Sequence, residues 1–210
     1  MELGLQSNLW VICAAYNEAT VIGRIVAELT RAAYQVVVVD DGSRDRTCQV
    51  AAAAGAHVVT HPINLGQGAA LQTGIDYALS QGADILVTFD ADGQHRASDI
   101  PRLVDALRRE RADFALGSRF LGQTSNLPWL RRRLLRAATV FTRLTTGLSL
   151  TDSHNGLRAL TRQGAAAIRL RQNRMAHASE ILNQIAQSGL RYIEVPVTIL
   201  LDLFAKELYR

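Results

Sequence analysis

Asp90-Ala91-Asp92-Gly93-Gln94-His95 directly follows the apolar run Ile85-Leu86-Val87-Thr88-Phe89. A core strand seldom ends in two carboxylates unless something cationic offsets their charge. Residues two apart on a strand point the same way, so Asp90 and Asp92 are expected to aim at one ion. Oxygen donors without cysteine suit a hard divalent cation, Mg²⁺ or Mn²⁺. Such an ion, sitting where parallel strands end, could hold a diphosphate. The same residues also suit a polar turn with an Asp helix cap, and the motif alone does not separate the two.

Two further polar clusters follow apolar runs. Tyr16-Asn17-Glu18 comes after Leu9 to Ala15, and Asp40-Asp41-Gly42-Ser43 after the β-branched run Val36 to Val39. Gly66-Gln67-Gly68 opens a helix after a short strand, His57 to Thr60. Glycine lets a backbone approach a ligand closely, and a helix N-terminus favours negative charge. The pattern is not that of a P-loop.

The elements that must position these clusters alternate. Strands are expected over Leu9–Ala15, Val36–Val39, His57–Thr60, Ile85–Phe89 and Asp113–Gly117. Helices are expected over Ala19–Ala32, from a cap at Asp45 or Ser43 to Ala54, over Gly66–Ser80, and over Ser98–Arg109 with Ser98 as cap. Beyond Gly117 the sequence predicts a helix over Pro128–Thr146, a turn and short strand over Asp152–Leu160, a helix over Ala176–Ser188 and a last strand over Leu190–Val195. Alternating strands and helices imply an α/β fold, a mostly parallel central sheet with helices on both faces. Ligands of such sheets bind at the carboxyl ends of the strands.

With 210 residues, 48% of them hydrophobic, one core and one domain over residues 1–210 are expected. A net charge of +4 is modest. The two cysteines, Cys13 and Cys48, have no metal-ligand spacing and read as reduced, buried thiols. The N-terminal stretch, with Glu2, does not read as a secretory signal, and no apolar run is long enough for a membrane span. A cytoplasmic protein is expected.

Taken together, AAYNE (Ala14 to Glu18), VVDDGSRDRT (Val38 to Thr47), NLGQGAALQTGI (Asn64 to Ile75), DADGQH (Asp90 to His95), GSRF (Gly117 to Phe120), DSHNGLRAL (Asp152 to Leu160) and EVPV (Glu194 to Val197) resemble, in order, the family 2 glycosyltransferases of the GT-A (Rossmann-like) fold. The subgroup most similar is that of the dolichol- and polyprenyl-phosphate sugar synthases. The resemblance implies inverting transfer of a sugar from a nucleotide diphosphate sugar, GDP-mannose or a UDP-hexose, to polyprenyl phosphate. It divides the chain into a nucleotide-sugar half, about 9–117, and an acceptor half, about 118–199. Donor contacts are implied for Ala14, Tyr16, Glu18, Asp41, Gln67, Asp90, Ala91 and Asp92, with Asp41 taking an N–H of the base. The alternative for Asp41 is a turn and helix cap. Metal ligands are implied at Asp90, Asp92 and Gln94, and catalytic roles at Asp92 and Arg119. Acceptor contacts are implied for Arg119, Arg132, Arg133, Asp152 and Arg158. Asp152 and Arg158 are expected to pair, either shaping the acceptor pocket or serving structure alone. His95 is expected to pack or face solvent.

Pro128 to Leu144 combines an arginine cluster, Trp129 and an apolar face without any acid. It suits a membrane interface, and equally a helix packed on the domain with a solvated basic face. The resemblance favours the membrane surface, a peripheral location at its inner face and an integral membrane partner. The interleaved aromatics of a nucleic-acid binder are missing. The chain departs from its relatives at Ala14, where Pro is usual, at Gln67, where Lys is common, and after Ile199, where an Arg is absent and Lys206 is the substitute. No late Asp matches the catalytic base of members that glycosylate hydroxyls, which favours a phosphate acceptor. The alternatives are a soluble transferase acting on a glycan or small-molecule hydroxyl, and a nucleotide-sugar-binding protein without turnover.

Overall fold

The computed structural model describes residues 8–122, 139–140, 142–153, 155–172 and 176–199. The strands are β1 (Leu9–Ala15), β2 (Gln35–Asp40), β3 (His57–Thr60), β4 (Ile85–Thr88), β5 (Phe114–Ser118), β6 (Arg158–Thr161) and β7 (Tyr192–Pro196). The helices are α1 (Ile22–Arg31), α2 (Thr47–Ala53), α3 (Gln67–Ser80), α4 (Ile100–Glu110), α5 (Arg162–Ala166) and α6 (Ala176–Ser188). Among the described residues the strands form one seven-stranded sheet in the order β3-β2-β1-β4-β6-β5-β7. Only β6 runs against its neighbours, pairing antiparallel with both β4 and β5. The expected mostly parallel α/β sheet is what the chain forms.

Side-chain alternation explains the layers. Val11, Cys13, Val36, Val38, Ile85 and Val87 face one core, shared with α1, α2 and α4. Their neighbours Trp10, Ile12, Val37, Val39 and Leu86 face the other, shared with α3, α5 and α6. A strand buried on both faces must be apolar at every position, which is why Val36 to Val39 carries no polar residue. Helix α3 lies close to the sheet because Gly74 has no side chain; a Cβ there would strike Ile12.

Most elements begin or end within a few residues of expectation, the last strand for example at Tyr192–Pro196 rather than Leu190–Val195, and four of the differences show a physical reason. Helix α1 starts at Ile22 rather than Ala19, because the Glu18 carbonyl accepts from Val21 and Ile22 and makes residues 18–21 a turn. Neither Ser43 nor Asp45 is the N-cap of α2; Arg46 is, while Asp45 accepts from Thr47 N at 3.0 Å. Ser98 does not cap α4 but lies in a 3-10 turn, Ala97–Asp99, before the helix. Strand β4 ends at Thr88, so Phe89 to Asp92 leave the sheet. Most of the arginine-rich helix expected over Pro128–Thr146, with Arg132 and Arg133, lies outside the described residues; residues 139–140 and 142–146 are helical. No described helix is long and apolar enough to cross a membrane.

Candidate active site

The carboxyl ends of β1, β2 and β4 open onto a cleft of about 620 Å³. Ala14, Tyr16, Glu18, Asp41, Gln67, Asp90, Ala91, Asp92 and Arg158 all line it. Gln94, Arg119 and Asp152 do not. Sequence reasoning missed His177 and Asn64, which line the cleft from α6 and the loop before α3.

The loops after β1 and β2 are knitted together before any ligand arrives. Asn17, with φ 57°, donates its N–H to Ser43 Oγ at 2.9 Å, and its Oδ1 accepts from Arg44 N at 2.9 Å. Glu18 N donates to Thr47 Oγ1 at 2.8 Å, and Ala19 N to Asp45 Oδ2 at 3.1 Å. Asp40 Oδ1 accepts from Ser43 N at 3.1 Å. Gly42, at φ 72°, lies so close to Asn64 that a Cβ would come within 2.7 Å of its N. Much of the polar signature VVDDGSRDRT therefore builds loops. Tyr16, 43% exposed, presents a ring at the mouth of the cleft, available for a planar ligand to stack on.

Asp41 is almost wholly buried and fixes the entrance to α3. Its Oδ1 accepts from His61 Nδ1 at 2.7 Å and Leu65 N at 2.9 Å, and its Oδ2 from Gly66 N at 2.7 Å. His61, also buried, is held in turn by Thr73 Oγ1 at 2.9 Å from Nε2. The two glycines here serve different ends. Gly66 adopts φ 96° and turns its N–H towards Asp41. Gly68 makes room for protein rather than ligand, since a Cβ there would meet Gln172 O and lie 2.9 Å from His177 Cβ.

Asp90 and Asp92 reach the cleft from a turn, not from the face of a strand, which corrects the basis on which they were expected to converge. Asp92 Oδ1 accepts from Gln94 N at 2.9 Å, and Gly93, at φ 76°, allows the bend. Gln94 thus braces Asp92 with its backbone. Asp90 Oδ2 accepts from His95 Nε2 at 2.9 Å, and Gln67 Nε2 lies 3.4 Å from Oδ1. His95 is buried edge-on to Phe89, with ring centroids 5.6 Å apart. It packs, as expected, and also holds a carboxylate. Gly156 abuts the Asp90 carboxylate, and its carbonyl accepts from Thr88 Oγ1 at 2.6 Å.

The carboxyl groups of the cleft differ in their hold on protons. Burial pushes Asp90 up, but the hydrogen bond from His95 and the charges of His95, Arg158 and His177 outweigh it, leaving it below the ordinary range. Asp92 is raised, first by burial and then by the negative charge of Asp90 against the Gln94 hydrogen bond. Glu18 is raised by burial, with Asp92 and Asp45 adding to it. Acids this close disfavour one another's charge, and a cation placed among them would relieve that repulsion.

Arg158 is 5% exposed at the start of β6, opposite Thr88 in β4 and Leu116 in β5. The expected Asp152–Arg158 pair does not form; Asp152 Oδ2 instead accepts from Arg119 Nε at 2.6 Å and Arg119 N at 3.1 Å. Asp152 is positioned by Glu194, whose carboxylate accepts from Thr151 N at 2.9 Å and Asp152 N at 3.1 Å. Among the described residues no hydrogen bond or ion pair reaches the Arg158 guanidinium. Burial lowers its pKa, while Asp90 and Asp152 favour its charge. A buried cation is thus presented beside acids in an open cleft.

No group of three His, Cys, Asp or Glu side chains among the described residues is arranged to hold a metal. Asp90 and Asp92 both open to the cleft, so a cation held there would take its remaining ligands from water or phosphate.

A sequence profile described as Glycosyl transferase family 2 matches residues 10–169. The chain is 30% identical, over 90% of its length and 84% of the relative's, to a UDP-N-acetylglucosamine–dolichyl-phosphate N-acetylglucosaminyltransferase of Methanococcus voltae. It is 33% identical, over 90% of its length and 76% of the relative's, to a polyprenol monophosphomannose synthase of Mycolicibacterium smegmatis. Its fold matches glucosyl-3-phosphoglycerate synthase from Mycobacterium tuberculosis, crystallised with Mn²⁺, UDP-glucose and phosphoglyceric acid, with a TM-score of 0.71, 20% identity, and coverage of 96% of this chain and 75% of that one. With its GT-A architecture and a match spanning most of its length, the chain belongs to glycosyltransferase family 2.

Proposed function

We propose that this protein transfers a sugar from a nucleotide diphosphate sugar to a polyprenyl phosphate, with inversion at the anomeric carbon. The observation that carries the reading is the convergence of Glu18, Asp41, Asp90, Asp92 and buried Arg158 on one cleft at the strand ends. The curated relatives with dolichyl-phosphate and polyprenol acceptors support the acceptor class.

The donor's base and ribose lie between Tyr16, Asp41 and the loop before α3, with its diphosphate towards Asp90, Asp92 and Arg158. Asp90 and Asp92, with Gln94 beside them, would hold Mg²⁺ or Mn²⁺. When bound there, the cation offsets the negative charge that grows on the departing nucleoside diphosphate. An oxygen of the acceptor phosphate attacks C1 of the sugar as the bond from C1 to the diphosphate oxygen breaks. The bonding pair leaves with the diphosphate, and one displacement from the opposite face inverts the centre. A phosphomonoester carries most of its second charge near neutral pH, so the acceptor needs no dedicated base. Arg119, paired with Asp152, stiffens the wall that the acceptor passes; it acts through position rather than as a free cation at the reacting atoms.

Incubation with radiolabelled GDP- and UDP-sugars, polyprenyl phosphate and Mg²⁺ tests this. Label should enter the organic phase for at least one donor. Label remaining in water for every donor, despite nucleotide binding, would exclude the lipid acceptor. The arginine-rich segment is read as a peripheral membrane contact on the cytoplasmic side. Replacing Arg132 and Arg133 by Glu should weaken co-sedimentation with anionic vesicles; unchanged sedimentation would reject that contact.

A further inference from the structure

We infer that His95 is a positioning residue that sets which divalent ion the cleft accepts: by engaging one oxygen of Asp90, it favours a small octahedral cation over Ca²⁺. The inference rests on the reading of Asp90 and Asp92 as holders of a cation and adds what turns the larger ion away.

His95 is only 7% exposed. Its Nε2 lies 2.9 Å from Asp90 Oδ2, whereas its Nδ1 is buried and meets no hydrogen-bond partner among the described residues. A buried N–H without an acceptor is costly, so the ring proton is assigned to Nε2, where it is donated to Asp90. The ring has little room to move aside. It stands edge-on to Phe89, and the His95 backbone bridges Ile199, next to Thr198, whose N–H is held by Asp99 Oδ2 at 2.8 Å. Nor is the carboxylate free to turn, because Gly156 lies so close that a Cβ there would overlap both its oxygens.

Asp92 is tied in a similar way, its Oδ1 accepting from Gln94 N at 2.9 Å. Each carboxylate therefore has one oxygen engaged by a firm protein donor. Asp92 Oδ2 and Asp90 Oδ1, the latter with only the Gln67 amide at 3.4 Å, are left for an ion. A hydrogen-bonded oxygen is the weaker ligand, and a cation clasped between both oxygens of one carboxylate would stand near the donated hydrogen. Ca²⁺ takes roughly six to eight oxygens and readily clasps a carboxylate by both. Mg²⁺ demands a strict octahedron, keeps several waters and needs one oxygen from each carboxylate. The second pattern is the one that this pair offers.

The test follows Mn²⁺ binding to the intact protein, alone and with UDP or GDP, by electron paramagnetic resonance, and then displaces the ion with Mg²⁺ or Ca²⁺. Mg²⁺ should displace it at a lower concentration than Ca²⁺ does. Ca²⁺ displacing it as readily as Mg²⁺ would overturn the inference and leave the cation reading intact, whereas Mn²⁺ that binds under none of these conditions would overturn that reading as well. His95→Leu keeps an apolar contact for Phe89 and loses the donor. In variant protein shown to be folded by its melting curve, Mn²⁺ should bind about tenfold or more weakly, and Ca²⁺ should gain on Mg²⁺. His95→Gln, whose amide nitrogen can stand where Nε2 does, should keep the order of displacement. A folded His95→Leu with the wild-type order would show that His95 is not its source.

Discussion

Replacing Gly156 by Ala isolates the importance of Asp90's position from that of its charge. A Cβ at residue 156 would lie 2.5 Å from Asp90 Cγ, and closer still to both carboxylate oxygens. Ordinary contact begins near 3.4 Å, so the carboxyl must withdraw by roughly 1 Å, the scale at which misplaced groups lose about 100-fold in rate. The backbone is poorly able to yield instead, since the Gly156 carbonyl is held by Thr88 at 2.6 Å. Withdrawal would strain or break the bond from His95 Nε2, a charge-assisted interaction of about 1.5–3 kcal/mol. We expect kcat/KM for sugar transfer to fall about 100-fold, with the concentration of Mn²⁺ giving half-maximal rate rising in parallel. Far-ultraviolet circular dichroism should be unchanged. Near-normal transfer at low Mn²⁺ in Gly156→Ala would refute the claim that Asp90 must stand where it does.

Other substitutions probe separate parts. Asp92→Asn should abolish transfer yet raise the melting temperature in chelator at neutral pH, because the folded state raises this carboxyl above its ordinary value, by burial first. The sign follows: ionised Asp92 costs stability, so the variant's advantage should vanish as pH falls below the ordinary carboxylate range, and an advantage that persisted there would contradict the cause. Asp152→Ala should destabilise the fold in urea, as it breaks a largely buried ion pair with Arg119; replacing both residues by Leu should cost less than the single change. Burial pushes the Cys13 thiol up to about 12, so iodoacetamide at pH 8 should label Cys48 in native protein and reach Cys13 only after unfolding. Equal labelling by mass spectrometry would refute this.

What the sequence revealed follows from how local each signal is. β1, β3 and α6 lie where periodicity predicts, because apolar alternation over a few residues is enough to define them. Four of the ends that shifted were set by partners elsewhere or by a turn: Asp99 at the start of α4 accepts from Thr198 N, nearly a hundred positions away, and no neighbouring residue announces it. That the acidic clusters line one cleft was legible because charge at a strand end is anomalous wherever it occurs. Their geometry was not, since Asp90 and Asp92 converge through a glycine turn. His61 was a polar residue after a strand with nothing to mark its partner, although it directly follows the predicted strand His57–Thr60. His177 was invisible: it faces the cleft because α6 packs against Gly68. The exchange of partners, Asp152 to Arg119 and Arg158 towards Asp90, depends on where an antiparallel strand inserts, which composition and spacing do not encode.

That insertion has a consequence for assembly. Gly156 and Arg158 stand against β4 although about 70 residues of chain intervene, and they wall the pocket on a side that the first half cannot supply. As the polypeptide emerges in order from the ribosome, the cleft is therefore finished late, after β1 to β4 have had time to associate. Until then the edge of β4 is bare and the acids beside it lack their buried counter-charge. A fragment stopped near residue 117 should thus be prone to stick to other chains and leave the cleft unwalled, however well its first four strands are formed.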